Sequence, residues 1–272
     1  MIRSSITVSL IPEARGGPFV FWDDLDAACG HASELGFHAV EIFAPSARFL
    51  EKTQAAKVVA KHGLKLAAAG TGGGWMLKQL TLTHDDARVR KQAREFIRGI
   101  IDWAAASGAP AIVGSMQGRP VDRTGALARL GDELGTLSAH SSTRGVPLIY
   151  EPLNRYETNL INRLGDGVAF LAEHHLDNVK LLPDLFHMNI EEASIATALL
   201  KAGASIGHVH LVDSNRRAMG FGHTKLPPVV KALKKIGYAG FVSAEALPWP
   251  DSLAAARQAM LAYQRYFNNA DS

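Results

Sequence analysis

Eight short apolar runs punctuate this 272-residue chain, and longer stretches with helical periodicity lie between them. The runs fall near residues 5–10, 38–43, 64–69, 109–114, 146–151, 178–183, 206–212 and 240–245. In the stretch 85–107, Val89, Ala93, Phe96, Ile97, Ile100, Ile101 and Ala104 form one apolar helix face, and Gly108 stands where a helix C-terminal glycine belongs. Gly36, Gly63, Gly145 and Gly237 hold the same place before the second, third, fifth and eighth runs. Helix, glycine, apolar run, repeated this often, is the pattern of βα units. The runs VEIF, LKLAAA and AIVG show little polar alternation, as expected of parallel strands covered on both faces. No linker rich in Pro, Gly or Ser divides the chain. The expected fold is therefore α/β, a single-domain (β/α)8 barrel over residues 1–272, with an eight-stranded doubly wound sheet as the alternative.

Four polar residues lie at or beside the C-terminal ends of successive runs: Glu151 in VPLIYE, Asp184 in VKLLPD, His210 in IGHVH and Glu245 in FVSAE. Their separations of 33, 26 and 35 residues approximate one strand-plus-helix unit. In a (β/α)8 barrel those strand ends share one face, where catalytic groups sit, and this placement suits the barrel better than the doubly wound sheet. A lone Glu at a strand end is often only a solvated or ion-paired group. Four such residues on successive units form a candidate site for a divalent cation.

Carboxylate oxygens and one imidazole suit Mg²⁺, Mn²⁺, Co²⁺ or Zn²⁺, and three carboxylates against one His favour Mn²⁺ or Mg²⁺. Glu151 and Glu245 come from the fifth and eighth units and would approach a ligand from different sides. With a cation polarising the carbonyl of a hydroxyketone and stabilising an enediolate, one Glu can act as base and the other as acid. Near these residues lie His187 in PDLFHMN, Arg216 in HVHLVDSNR and Glu157 in EPLNRYETN. Arg216 offers a planar fork of donors for substrate oxygens, His187 a donor near an oxyanion, and Glu157 an acceptor for a hydroxyl. Their bland alternatives are a surface loop charge, a rim-packed helix residue and a solvated carboxylate. His208 and His210 share one side of a strand, so His208 is a second histidine of the same face, supporting the site or packed in the core.

Composition narrows the alternatives. A hydrophobic fraction of 47% and a charged fraction of 20% fit an ordinary globular protein. One cysteine, Cys29, rules out an intrachain disulfide, and no histidine-paired nucleophile motif surrounds it. No run of ~18 apolar residues offers a membrane span, and the N-terminal apolar stretch breaks at Pro12, too short for a signal peptide. The expected location is cytoplasmic. The net charge of +3 is spread along the chain rather than gathered into a basic stripe, which disfavours nucleic acid.

The segments EPLNRYETN, PDLFHMN, HVHLVDSNRRAMGFGH and SAEALPWPD resemble the sugar phosphate isomerase/epimerase group of xylose isomerase-like TIM barrels. Within it they are most similar to ketose 3-epimerases of the D-tagatose 3-epimerase type and to related keto-sugar-acid epimerases, and GSMQGR looks like that group too. The resemblance implies a Mn²⁺-type site made by Glu151, Asp184, His210 and Glu245, with Glu151 and Glu245 inverting C3 through a cis-enediolate. It implies that His187 and Arg216 bind substrate oxygens, that Glu157 lies near the ketose O1 end, and that the chain forms a homo-oligomer, dimer or tetramer. One departure concerns the rim: many relatives carry an acidic residue after the GxGH block, where this chain has Lys225.

Phosphate-binding barrels present Gly-rich loops after strands seven and eight. Here the seventh loop has Gly220 and Gly222, but the eighth reads ALPWPD. The stretch GTGGGW at 70–75 is expected to be a flexible loop, without the following helix of a dinucleotide fingerprint, and with Trp75 as a cap over the site. The expected partner is thus an unphosphorylated sugar or sugar acid. Other readings keep the barrel and change the chemistry. An aldose–ketose or inosose isomerase or dehydratase needs the same proton abstraction. A glycosidase leaves Asp184 and His210 without a role, a sugar sensor has no need of two carboxylates, and an endonuclease IV-type nuclease wants more His ligands and a basic face.

Overall fold

The structure, a computed structural model, describes residues 1–268. One parallel sheet contains β1 (Arg3–Ser9), β2 (Phe21–Trp22), β3 (Ala39–Phe43), β4 (Lys65–Gly70), β5 (Ala111–Val113), β6 (Leu148–Tyr150), β7 (Val179–Leu181), β8 (Val209–His210) and β9 (Phe241–Ala244). Eight of them run in the order β7-β6-β5-β4-β3-β1-β9-β8, and the parallel bridges Leu181↔Ile206 and Asp184↔His210 join the two ends into a barrel. Each of the eight apolar runs overlaps one barrel strand; β1 begins two residues before its run, and β4 ends one residue after its own. The ninth strand, β2, was not expected; it lies beside β1 through Val8↔Phe21 and Ser9↔Trp22.

Eleven α-helices among the described residues connect the strands. The helix Ala87–Ala105 turns Ala93, Ile97, Ile100, Ile101, Trp103 and Ala104 into the core, while Val89 and Phe96 pack at its margin. Ile97, Ile100 and Ile101 are wholly buried, so truncating any one to alanine should cost about 2–5 kcal/mol. Gly108 closes that helix with φ +68, a left-handed turn that disfavours any side chain, and the four other pre-strand glycines have the same sign of φ.

One expectation fails. GTGGGW is not a flexible loop: β4 ends at Gly70, and a helix spans Gly73–Lys78. Packing explains its glycines. A Cβ on Gly72 would lie 2.5 Å from the Phe43 ring, one on Gly73 2.4 Å from the Ala44 carbonyl, and one on Gly74 2.7 Å from Met116. These glycines let the helix sit against neighbouring strand ends. A large hydrophobic cluster fills the space between sheet and helices, and Ala68, Ile112, Ile149 and Leu182 form a separate small one. No helix among the described residues is long and apolar enough to cross a membrane.

Candidate metal and active site

Side chains alternate along a strand, and this alternation brings the polar residues to one place. Glu151 follows β6 directly, Glu245 follows β9 directly, His210 ends β8, and Asp184 starts the helix Leu185–Glu191 after β7. One ligand atom from each of Glu151, Asp184, His210 and Glu245 lies within 4.8 Å of the others. His210 Nδ1 is central: it is 3.1 Å from Asp184 Oδ2, 3.3 Å from Glu245 Oε2 and 3.4 Å from Glu151 Oε1. Asp184 and His210 are each only 1% exposed.

Each group is held from behind. Asp184 caps its helix, its Oδ1 accepting from the backbone N–H of Phe186 at 2.8 Å and of His187 at 3.2 Å, which leaves Oδ2 for the cluster. The buried Gln117, from GSMQGR, donates to the backbone carbonyls of Gly114 and Glu151, both at 3.0 Å, and accepts from the Tyr150 hydroxyl at 2.6 Å. It thereby ties the end of β6 to the loop after β5. Glu151 Oε1 is buried without a hydrogen-bond partner, and such an acceptor is costly unless a cation or donor faces it.

Electrostatics follow from this crowding. Burial works against the charge of Asp184, yet Arg216 and the nearby histidines hold its carboxyl well below the usual range. Burial raises the Glu151 carboxyl; His210 opposes this and Glu245 reinforces it. Burial also disfavours charge on His210, but Glu245, Glu41, Asp184 and Glu151 together lift it well above the ordinary histidine range. The cluster therefore favours positive charge at its centre. Three carboxylates, one imidazole and an unpartnered buried oxygen fit a divalent cation held by Glu151, Asp184, His210 and Glu245.

The other expected residues lie close by. Both Nη atoms of Arg216 are engaged, with Asp184 and with Glu245, and its guanidinium stacks on Phe186 at 4.9 Å. It is thus a cluster member rather than an open fork. The Asn154 amide nitrogen bridges Glu157 Oε1 at 2.9 Å and His187 Nδ1 at 2.7 Å. His187 Nε2 then points toward Glu151 Oε1, 3.9 Å away. Glu157 is at the rim, its side chain half exposed.

A cavity opens above the cluster. Glu157, His187 and Arg216 line its polar side, and Phe19, Phe43, Trp75 and Met76 its apolar side. Three of these aromatics and apolar groups, Phe19, Phe43 and Met76, were missed in the sequence, as were Asn154 and Gln117. So was Glu41, whose carboxylate meets His208 Nε2 at 2.7 Å and His210 Nε2 at 3.1 Å. Its one signal was a charge inside the apolar run AVEIF.

Comparison with known proteins agrees with this architecture. Residues 29–263 match the family described as the xylose isomerase-like TIM barrel. A D-psicose 3-epimerase from Agrobacterium fabrum is 32% identical over 222 residues, covering 78% of this chain and 76% of the relative. A 3-dehydro-D-guloside 4-epimerase from Escherichia coli is 35% identical over 111 residues, 41% of this chain and 42% of the relative. The crystal structure of a D-allulose 3-epimerase from Methylomonas sp., in complex with D-allulose, superposes with a TM-score of 0.83 at 22% identity, covering 98% of this chain and 97% of that one. The barrel, its strand order and these matches together show that the chain belongs to the xylose isomerase-like TIM-barrel family, with carbohydrate epimerases among its relatives.

Proposed function

We propose that this chain is an isomerase: a divalent-metal-dependent epimerase inverting C3 of an unphosphorylated ketose or keto-sugar acid. The observation that carries this reading is the convergence of Glu151, Asp184, His210 and Glu245 to within 4.8 Å. The names of the relatives, psicose and allulose 3-epimerases, supply the reaction class. Mn²⁺ is the favoured ion, with Mg²⁺ and Co²⁺ as alternatives, because carboxylates dominate the donor set. Bound there, the cation supplies positive charge beside the ketose carbonyl, which acidifies the proton on the adjacent carbon.

Glu151 and Glu245 reach the cavity from β6 and β9, different points on the barrel wall. One takes the C3 proton, leaving a cis-enediolate, and the other returns a proton to the opposite face. His187 Nε2 and the N–H groups of Arg216 not engaged by Asp184 and Glu245 hold substrate oxygens, and Glu157 accepts from a hydroxyl at the rim. The loop after β8 supports an unphosphorylated substrate. The backbone N–H groups of Gly220 and Gly222, which a phosphate would need, donate instead to Asp213 Oδ2 at 2.7 and 2.9 Å.

The test is to strip the protein with chelator, restore Mn²⁺ and incubate it in D₂O with D-fructose, D-tagatose, L-ribulose or a keto-sugar acid. NMR then follows deuterium at C3 and the epimer formed. Metal-dependent exchange should vanish in Glu151→Gln and Glu245→Gln; exchange that survives both substitutions removes the acid/base assignment. A second reading comes from the 4-epimerase relative. The same pair acting beside a C3 ketone would invert C4, and deuterium at C4 of a 3-keto sugar would identify that outcome.

A further inference from the structure

Glu41 sits on β3, and the residue is 5% exposed. Both oxygens are committed to imidazoles: Oε2 lies 2.7 Å from His208 Nε2, and Oε1 3.1 Å from His210 Nε2. An ionised carboxylate only accepts hydrogen bonds, so Nε2 must carry the proton in both rings. The second nitrogen of His210 faces the other way, into the cluster of Glu151, Asp184 and Glu245. With the proton fixed on Nε2, Nδ1 is the atom whose lone pair can meet a cation.

We propose that Glu41 is a positioning residue that fixes the ring plane and tautomer of His210 and so sets the strength of the cation site. His208 serves as the second donor that holds the Glu41 carboxylate in its plane. This inference rests on the proposed role of His210 as a metal ligand. A buried carboxylate kept only for stability would be a poor choice, since its desolvation offsets much of what its partners return. A carboxylate behind a ligand histidine also makes that ligand more basic, and removing such a partner weakens metal affinity by about 10–100-fold. The same three residues, Glu41, His208 and His210, are themselves close enough to hold an ion. The separations of 2.7 and 3.1 Å are those of direct hydrogen bonds, however, which favours the supporting role.

Glu41→Gln and Glu41→Leu test this with Mn²⁺ as the probe. Free Mn²⁺ is read by electron paramagnetic resonance during titration of the metal-stripped protein, and metal-free melting is recorded in parallel. The expected result is one Mn²⁺ per wild-type chain and binding weaker by about 10–100-fold in both variants. A purely structural Glu41 would lower the metal-free melting temperature and leave the Kd within threefold of wild type, which overturns the proposal. Two Mn²⁺ per chain, one of them lost in the variants, also overturns it in favour of a separate ion site. If neither variant folds, ¹⁵N-histidine NMR of the Mg²⁺-loaded wild type decides. A proton on His210 Nε2 supports the proposal and its absence refutes it. A wild type that binds no Mn²⁺ at all brings down the metal-site reading itself, a result distinct from the others.

Discussion

Asp213→Asn should loosen the loop after β8 far more than it loosens the barrel. The Asp213 carboxylate is 1% exposed and accepts four backbone N–H groups. Oδ1 takes Ser214 at 2.7 Å and Thr224 at 3.0 Å, while Oδ2 takes Gly220 at 2.7 Å and Gly222 at 2.9 Å. Asparagine keeps one oxygen and turns an amide NH₂ toward the other two donors, so two hydrogen bonds to a charged group are lost. At about 1.5–3 kcal/mol each, the local opening free energy of the loop should fall by about 3–6 kcal/mol. Hydrogen exchange at Gly220, Gly222 or Thr224 should then accelerate by at least about 100-fold, since ~1.4 kcal/mol is tenfold. Amides of the helix Ala87–Ala105 serve as the unchanged reference. The consequence reaches the site because Arg216 lies in this loop, its N–H donating to the Asp213 carbonyl at 2.9 Å.

The pH dependence of this device has a definite sign. Burial works against the charge on Asp213, but the four N–H donors hold its carboxyl below the usual range. Its contribution is therefore complete above the unfolded value, about 3.9, and is lost as pH falls through the lower folded value. Wild-type loop protection should decline in that acid window, while the Asn variant, with nothing to titrate, stays flat and the two converge. Protection of Gly220 and Gly222 within threefold of wild type at neutral pH would refute the reasoning.

Three further outcomes are expected. Mn²⁺ at about 100 times its Kd should stabilise the fold by ~2.7 kcal/mol. At about 2–4 °C per kcal/mol that raises Tm by roughly 5–11 °C; Asp184→Asn should abolish the increment, and a melting curve indifferent to Mn²⁺ would count against the site. Gly114→Ala places a Cβ 2.5 Å from Glu151 Oε2, so Mn²⁺ binding should weaken at least about tenfold with little change in metal-free Tm, and unaltered binding would show that the carboxylate has room to move. Burial, with Asp26 adding to it, pushes the Cys29 thiol up to about 12; a disulfide reagent at pH 8 should therefore label the native protein only as fast as it unfolds, and rapid labelling would contradict its packing.

The barrel was legible because parallel strands covered on both faces must be nearly continuous apolar runs, and because helix ends such as Gly108 need a left-handed residue. What escaped depends on contacts distant in sequence. β2 is two residues long and exists because Val8 and Ser9 offer it an edge. The helix Gly73–Lys78 begins with two glycines, a combination that local propensity marks as loop. Tertiary contact overrules propensity there, since only glycine lets that turn approach the Phe43 ring and the Ala44 carbonyl. The same feature that concealed the helix, its missing side chains, is what allows Trp75 and Met76 to reach the cavity.

The cluster divides along the same line. Glu151, Asp184, His210 and Glu245 could be read because a barrel puts every strand's C-terminal end on one face, so position within a repeat already implies convergence. Glu41 could not, since it touches His210 across 169 positions of sequence and lies on a strand whose end carries no member of the four. The sequence marks Arg216 as a residue of the site, but its commitment to Asp184 and Glu245 follows from its φ of +62 within a loop that Asp213 shapes. These hidden groups answer a physical demand that the visible ones create. Two buried carboxylates, Glu151 and Asp184, and the partly buried Glu245 around one imidazole nitrogen need positive charge and a fixed proton. Arg216 supplies charge from the loop side, and Glu41 holds the proton on the far nitrogen. Sequence position can announce such a demand, whereas only the folded geometry shows which distant residue meets it.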